Sequence, residues 1–166
     1  MVTNVRSELA SDHDAVRQIH TAAFARPTEA SLVHKLRGSS GSISLVATEA
    51  GGVVGHILFT AAKVMGKQFR VAGLGPMAVS PARQRSGIGS ELVLRGLEAC
   101  RIAGYEAVVV VGHAEYYPRF GFQRGSSFEL RCQFDVPDEV FMATELQPGA
   151  LSGGGDLQYA PEFSQA

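Results

Sequence analysis

The sequence predicts an α+β domain in which a mixed sheet is built by both hairpin and crossover connections. Two β-rich runs, residues 43–49 and 53–61, are joined by Ala50, Gly51 and Gly52, and glycines between two such runs are a strong hairpin signal. Residues 87–103 are amphipathic at helical spacing, and the apolar run Ala107, Val108, Val109, Val110, Val111 follows. A short run of that composition suits a strand covered on both faces. Strand, helix and covered strand in succession imply a right-handed parallel crossover.

The elements follow in order. Residues 2–6 are a short strand candidate. Ser11, Asp12 and Asp14 offer N-cap oxygens and early negative charge to a first helix ending near Phe24. Leu32, Val33 and Leu36 mark a second, short helix ending near Gly38. Residues 63–71 are a more polar run with a turn at Gly66 and Lys67. Residues 72–79 form an apolar strand interrupted by Gly73 and by Gly75-Pro76, and such interruptions mark a bulge or a close backbone approach. In the long helix, Gly89, Val93, Leu97 and Cys100 share one face, widened by Leu92 and Ala103, while Glu91, Arg95, Glu98 and Arg101 hold the other. Gly104 is its natural C-cap. A short helix over residues 115–121 closes at Gly121, and residues 122–130 and 141–146 are strand candidates. The tail from Pro148 is rich in Gly and Ser; an edge strand near Leu157 and loose last residues are expected.

The chain has 166 residues, with 15 basic and 16 acidic side chains. That length fits one domain, residues 1–166, with a core over about 2–147 and a tail over 148–166. The charge balance gives no reason to expect a nucleic acid or a membrane surface as partner. Cys100 and Cys132 are too few for a disulfide framework or a zinc site, so no metal is expected. Residues 1–6 lead into polar residues rather than an apolar signal core, and a cytoplasmic location is the expectation.

Residues 77–90 are where chemistry is concentrated. They read as a strand end, a turn at Pro81, a glycine-bearing loop and a helix start. The first N–H groups of a helix lack internal partners, and its dipole places partial positive charge there, so the site suits a phosphate. Arg83 and Arg85 can add full charges. By glycine spacing alone, the loop is equally a tight strand-to-helix connection. A P-loop would need Gly-Lys-Ser/Thr, which is absent, and a dinucleotide fingerprint would need glycine where Leu92 stands.

Three motifs together resemble the GNAT superfamily of acetyl-CoA-dependent N-acetyltransferases. Gln84, Arg85, Ser86, Gly87, Ile88 and Gly89 match its Gln/Arg-x-x-Gly-x-Gly/Ala signature; Met77, Ala78 and Val79, with Pro81, match the strand before it; and Tyr117 to Phe122 match Tyr-x-x-x-Gly-Phe. They occur in the family's order, within a likeness spanning residues 2–147. The resemblance implies a mostly antiparallel sheet of six or seven strands, flanked by about four helices, with two parallel strands splayed at the acyl-CoA site.

It also implies roles. Backbone N–H groups of Gln84, Arg85, Ser86, Gly87, Ile88, Gly89 and Ser90 would hold the pyrophosphate of acetyl-CoA, with glycine permitting close approach. The backbone of Met77, Ala78 and Val79 would pair with the pantetheine arm as an added strand, and an N–H from it would stabilise the oxyanion. Tyr117 matches the family's general acid; a tyrosine of ordinary pKa, about 10, is protonated at neutral pH and can donate to the leaving sulfur. Its ring could equally serve only to pack the short helix.

The base is left open among Glu29, which also borders the expected acceptor pocket, His56 and His113. The expected acceptor is a primary amine, a small molecule in preference to a protein amine, attacked directly because no cysteine lies in the motifs. The competing reading is a non-catalytic acyl-CoA-binding sensor, which would have no use for a proton donor at Tyr117. The tail and C-terminal strands are compatible with a homodimer.

Overall fold

The computed structural model describes residues 3–165; residue 2, at the start of the expected first strand, and residues 1 and 166, the ends of the expected domain, lie outside them. Among the described residues the strands are β1 (Asn4–Ser7), β2 (Ile43–Glu49), β3 (Gly52–Val64), β4 (Val71–Val79), β5 (Ala107–Val111), β6 (Gln123–Arg124), β7 (Leu130–Arg131), β8 (Phe141–Glu145) and β9 (Gly155–Gln158). The α-helices are α1 (His13–Phe24), α2 (Thr28–Leu36) and α3 (Ile88–Ile102). Nine strands and three α-helices therefore stand where six or seven and about four are expected. The extra strands are short pairings, and the fourth helix is a single 3-10 turn, Tyr117–Phe120, with Pro118 in it. Proline cannot donate to a longer helix.

The sheet runs β1-β2-β3-β4-β5-β8-β6, with β9 on the far end of β3 and β7 beside β9. All of its pairings are antiparallel except β4 with β5 and β7 with β9. The hairpin at residues 50–52 and the parallel crossover through α3 are both present. The run over residues 122–130 is not one strand. Gly125 lies against the Phe141 ring, where a Cβ would overlap it, and Glu129 takes a left-handed φ of 60°. A 3-10 turn, Gly125–Phe128, therefore separates β6 from β7.

One irregularity places the site. Ile57 faces Met77 and Phe59 faces Leu74, so Gly75 and Pro76 together oppose Leu58. Two residues against one is a bulge, which bends its strand. The parallel pairing with β5 ends at Leu74 and Val110, immediately before it, and beyond that point β4 and β5 separate.

Helix α3 covers one face of the sheet, packing Ile88, Leu92, Val93 and Cys100 on Ile57, Phe59, Leu74 and Val110. Its buried stripe is residues 88, 92, 93, 96 and 100, rotated from the expected stripe through 89 and 97. Apolar residues occupy both stripes, and the Phe59 ring decides between them: it lies where a Cβ on Gly96 would be. On the other face, Val16, Leu32, Val33 and Leu36 of α1 and α2 cover Val46 and Leu58. Beside them Leu130, Leu151, Leu157 and Tyr159 cover Val71, Val109 and Phe141. Phe163 packs against both groups, so the chain end expected to be loose closes the space between them. No helix among the described residues is long and apolar enough to cross a membrane.

Candidate active site

The separation of β4 from β5 opens a cleft of about 1080 Å³. Leu74 through Val79 line one wall and Val110 through His113 the other. It runs from the N-terminus of α3, through the gap in the sheet, to the face covered by α1, α2 and the C-terminal segment.

At the α3 end the loop is shaped by its backbone. Gly87 is the N-cap, with φ 87° and open space where a Cβ would be, and Arg85 also takes a left-handed φ, 64°. Glycine at 87 thus serves conformation. The side chain of Gln84 donates to the Val79 carbonyl at 3.1 Å, and the Ser86 hydroxyl donates to the Arg83 carbonyl at 2.5 Å. The first bond ties the loop to the end of β4, and the second closes the loop on itself. The first helical bond runs from Glu91 N–H to the Gly87 carbonyl, leaving the N–H groups of Ile88, Gly89 and Ser90 without helical partners. Of the ten residues expected to hold the cofactor, Met77, Ala78, Val79, Gln84, Arg85, Gly87, Gly89 and Ser90 line the cleft. Ile88 points into the core.

The two arginines of the loop differ. Arg83 donates from Nε and Nη2 to the carboxylate of Glu49 at 2.7 and 2.8 Å, so its charge is committed to β2, and this pairing is the main cause holding Glu49 below the usual carboxylate range. Arg85 has no ion pair among the described residues.

Tyr117 lines the cleft with 7% of its surface exposed. Its ring packs on Gly112, where a Cβ would overlap it, and edge-on against Tyr116 and Phe122, with centroids 5.1 and 5.6 Å away. Burial, with a smaller contribution from Tyr116, raises the phenol pKa. Tyr117 therefore keeps its proton throughout the neutral range, as a donor must.

Of the three base candidates, Glu29 and His113 line the cleft and His56 does not. Glu29 lines the cleft and accepts from Arg26 Nε and Nη2 at 3.0 and 2.5 Å; that pairing lowers its pKa and keeps it anionic. His113 also lines the cleft, and its carbonyl accepts the Tyr116 N–H at 3.1 Å. His56 is 0% exposed and is not part of the cleft wall. Its Nδ1 lies 2.8 Å from His20 Nε2 and its Nε2 lies 2.7 Å from the Ser44 hydroxyl. That hydroxyl donates to Glu8, which accepts from Arg37 as well. A hydroxyl has one proton, so His56 must carry its own on Nε2, and His20 must donate from Nε2 to His56 Nδ1. The pair is a neutral core chain, and His56 is removed as a direct base by its enclosure.

The chain matches the acetyltransferase (GNAT) domain family over residues 4–125. It belongs to the GNAT acetyltransferase family. YhbS of Escherichia coli, an uncharacterized N-acetyltransferase, is 32% identical over 164 residues, 97% of this chain and 98% of YhbS. The crystal structure of YhbS in complex with CoA has a TM-score of 0.92, covering 98% of this chain and 92% of that one. Escherichia coli YjhQ, also an uncharacterized N-acetyltransferase, is 41% identical over 154 residues, 86% of this chain and 85% of YjhQ. A GNAT family acetyltransferase from Brucella melitensis, solved with acetyl-CoA, is 33% identical with a TM-score of 0.82 and 98% coverage of both chains.

This GNAT acetyltransferase has cleft residues that sequence reasoning passed over. Arg119 lies over the Tyr116 ring at 4.4 Å; it occupies a variable position of the Tyr-x-x-x-Gly-Phe motif, where nothing signals its charge as useful. Phe134, Val136, Tyr159 and Phe163 line the far end. The alternation of Cys132, Phe134 and Val136 with polar residues was a legible signal of one inward-facing side.

Proposed function

We propose that this protein moves the acetyl group of acetyl-CoA to the primary amine of a small molecule, by direct attack with both substrates bound. The observation that carries this reading is the cleft through the sheet. It joins the unpartnered N–H groups at the start of α3 to a wall that bears a protonated Tyr117. The crystal structures of its relatives with CoA and acetyl-CoA support the same donor.

Residues 84–90 fit a pyrophosphate: the N–H groups at the helix start, the left-handed Gly87 and the uncommitted charge of Arg85 converge there. Along β4, residues 77–79 have lost β5 as a neighbour, so their outward N–H and C=O groups suit an extended chain laid beside them. An N–H of this edge would stabilise charge on the thioester oxygen. The acceptor's ammonium first gives one proton to cleft water; as the neutral amine nitrogen then bonds to the carbonyl carbon, the C–S bond breaks. Tyr117 gives its proton to the departing sulfur and regains one from cleft water, while the proton lost by the nitrogen passes to water. Glu29, held anionic by Arg26, is better suited to hold an ammonium than to take its proton.

A covalent acetyl-enzyme is disfavoured by the same geometry. Neither cysteine lines the cleft, and burial pushes the Cys100 thiol up to about 12, which leaves no thiolate at neutral pH. The test is release of CoA thiol from acetyl-CoA with a panel of amines, with the acetylated product identified by mass. Tight CoA binding without product would instead favour the sensor.

A further inference from the structure

The two ends of the cleft differ in chemistry, and the difference bears on the acceptor. The charge of the wall is divided. Arg83 and Arg85 stand in the loop before α3, and Arg119 lies over Tyr116, whose hydroxyl meets Gly89 of α3. The arginines of the wall are thus all at the donor end. At the other end, Phe24, Leu32, Phe134, Val136, Tyr159 and Phe163 line the wall, and Glu29 is the one carboxylate lining the cleft among the described residues.

From this division we infer that the acceptor is a primary amine on a compact apolar body of aromatic size, without a carboxylate or phosphate: the arylalkylamine class. The inference rests on the acetyl-transfer reading above and specifies its second substrate.

Three features argue for that class. The rings form a continuous apolar surface. Tyr159 lies between Phe134, 5.6 Å away and stacked, and Phe163, at 5.3 Å. Its hydroxyl is enclosed, so it offers the cleft its ring. Across from them Phe24 is 38% exposed, an apolar face for a ligand to cover. Aromatic faces of this kind favour an aromatic guest in offset or edge-on contact.

Second, Glu29 suits a single ammonium. Both oxygens accept from Arg26, yet a carboxylate has about four lone-pair positions, so it can accept further bonds. An acceptor that also carried a carboxylate would bring that charge to an end of the cleft where the nearby guanidinium, Arg26, is already paired with Glu29 and does not line the wall. Free amino acids are disfavoured on that ground.

Third, polybasic acceptors find too little here. Asp135, Asp138 and Glu139 are exposed and do not line the cleft, and Asp138 accepts from Arg124 at 3.3 Å. A spermidine or a basic peptide would meet one carboxylate and a wall of rings, which cannot compensate its remaining charges.

The experiment compares phenethylamine, phenylalanine, spermidine and a lysine-rich peptide as acceptors with the intact protein and acetyl-CoA. It reads thiol release and acetylated product. In parallel, calorimetry measures phenethylamine binding to the CoA-loaded protein. The expected kcat/KM for phenethylamine exceeds each of the others by at least about tenfold, the scale on which a site discriminates by apolar contact. Phe163→Ala and Glu29→Gln raise its KM by about tenfold and leave the KM for acetyl-CoA unchanged. Phe24→Ala, at an exposed position, does the same without a folding defect. Preference for phenylalanine, spermidine or the peptide overturns this inference and leaves acetyl transfer standing. Acetyl-CoA binding with no product from any amine overturns the transfer reading itself; the pocket is then judged by calorimetry, where absence of phenethylamine binding overturns it too.

Discussion

The Tyr116 hydroxyl stands 2.9 Å from the point that a Cβ on Gly89 would occupy. Helix α3, which begins the expected pyrophosphate cradle, is therefore in contact with the turn that carries Tyr117. Gly89→Ala forces the end of the Tyr116 ring to move, and Tyr117 is its chain neighbour. Steady-state kinetics should show a raised KM for acetyl-CoA together with a lowered kcat, each by several-fold. The melting temperature should change little, since the displaced atom is the far end of a side chain at the cleft wall. An altered KM with an unchanged kcat would separate the two sites.

Replacing Tyr117 with phenylalanine removes one oxygen and keeps the packing on Gly112, Tyr116 and Phe122. If Tyr117 protonates the sulfur, kcat falls by about 10²-fold or more, the usual contribution of a positioned acid. Binding of CoA should be unchanged. A variant with full kcat would assign Tyr117 a packing role alone.

Acid should destabilise the fold through the histidine pair. Burial lowers His20 to about 4 and holds His56 well below its ordinary 6.5, with the charges of His20 and Arg37 acting in the same direction on His56. The unfolded chain takes up these protons near pH 6.5, and the folded chain does not. Stability is therefore full above about pH 6.5 and falls as the pH drops from there toward 4, because the unfolded state binds more protons. Thermal melts should show a lower midpoint at pH 5 than at pH 7.5. The double variant His20→Leu, His56→Leu should flatten that slope, whatever its own stability.

The rotation of α3 can be tested at Gly96. Alanine there would gain roughly 1 kcal/mol of helix preference, but its Cβ overlaps the Phe59 ring, and overpacking a core costs about 1–3 kcal/mol. Gly96→Val, which adds a branched side chain at the same point, should lower the melting temperature by several degrees, at about 2–4 °C per kcal/mol for a domain of this size. Gly87→Ala tests conformation instead of space: nothing lies near the added carbon, and the left-handed φ alone should weaken acetyl-CoA binding.

What the sequence made legible was local or ordered along the chain. Residues 84–89 carry their chemistry within six positions, and the structure adds only the ties from Gln84 and Ser86. Gly75-Pro76 announced an irregularity, which register shows to be the bulge where β4 leaves β5. The rest depended on distant partners. Leu92 and Leu97 allow two helix rotations until Phe59 chooses one. His20 and His56 are 36 residues apart, and their enclosure arises only when α1 lies on β3. The alternation of Phe134 and Val136 with polar residues marks an inward-facing side, but their meeting with Tyr159 and with Phe163 of the last described turn joins separate segments and could not be read from the chain.

The central claim is transfer of acetyl from acetyl-CoA to an amine at this cleft, and product analysis by mass spectrometry tests it most directly. The wild-type protein is incubated with acetyl-CoA and primary amines, and acetylated amine is measured against thiol released. The account predicts one acetylated amine per thiol, at a rate that Tyr117→Phe reduces. Saturable acetyl-CoA binding with no acetylated amine from any acceptor would contradict it.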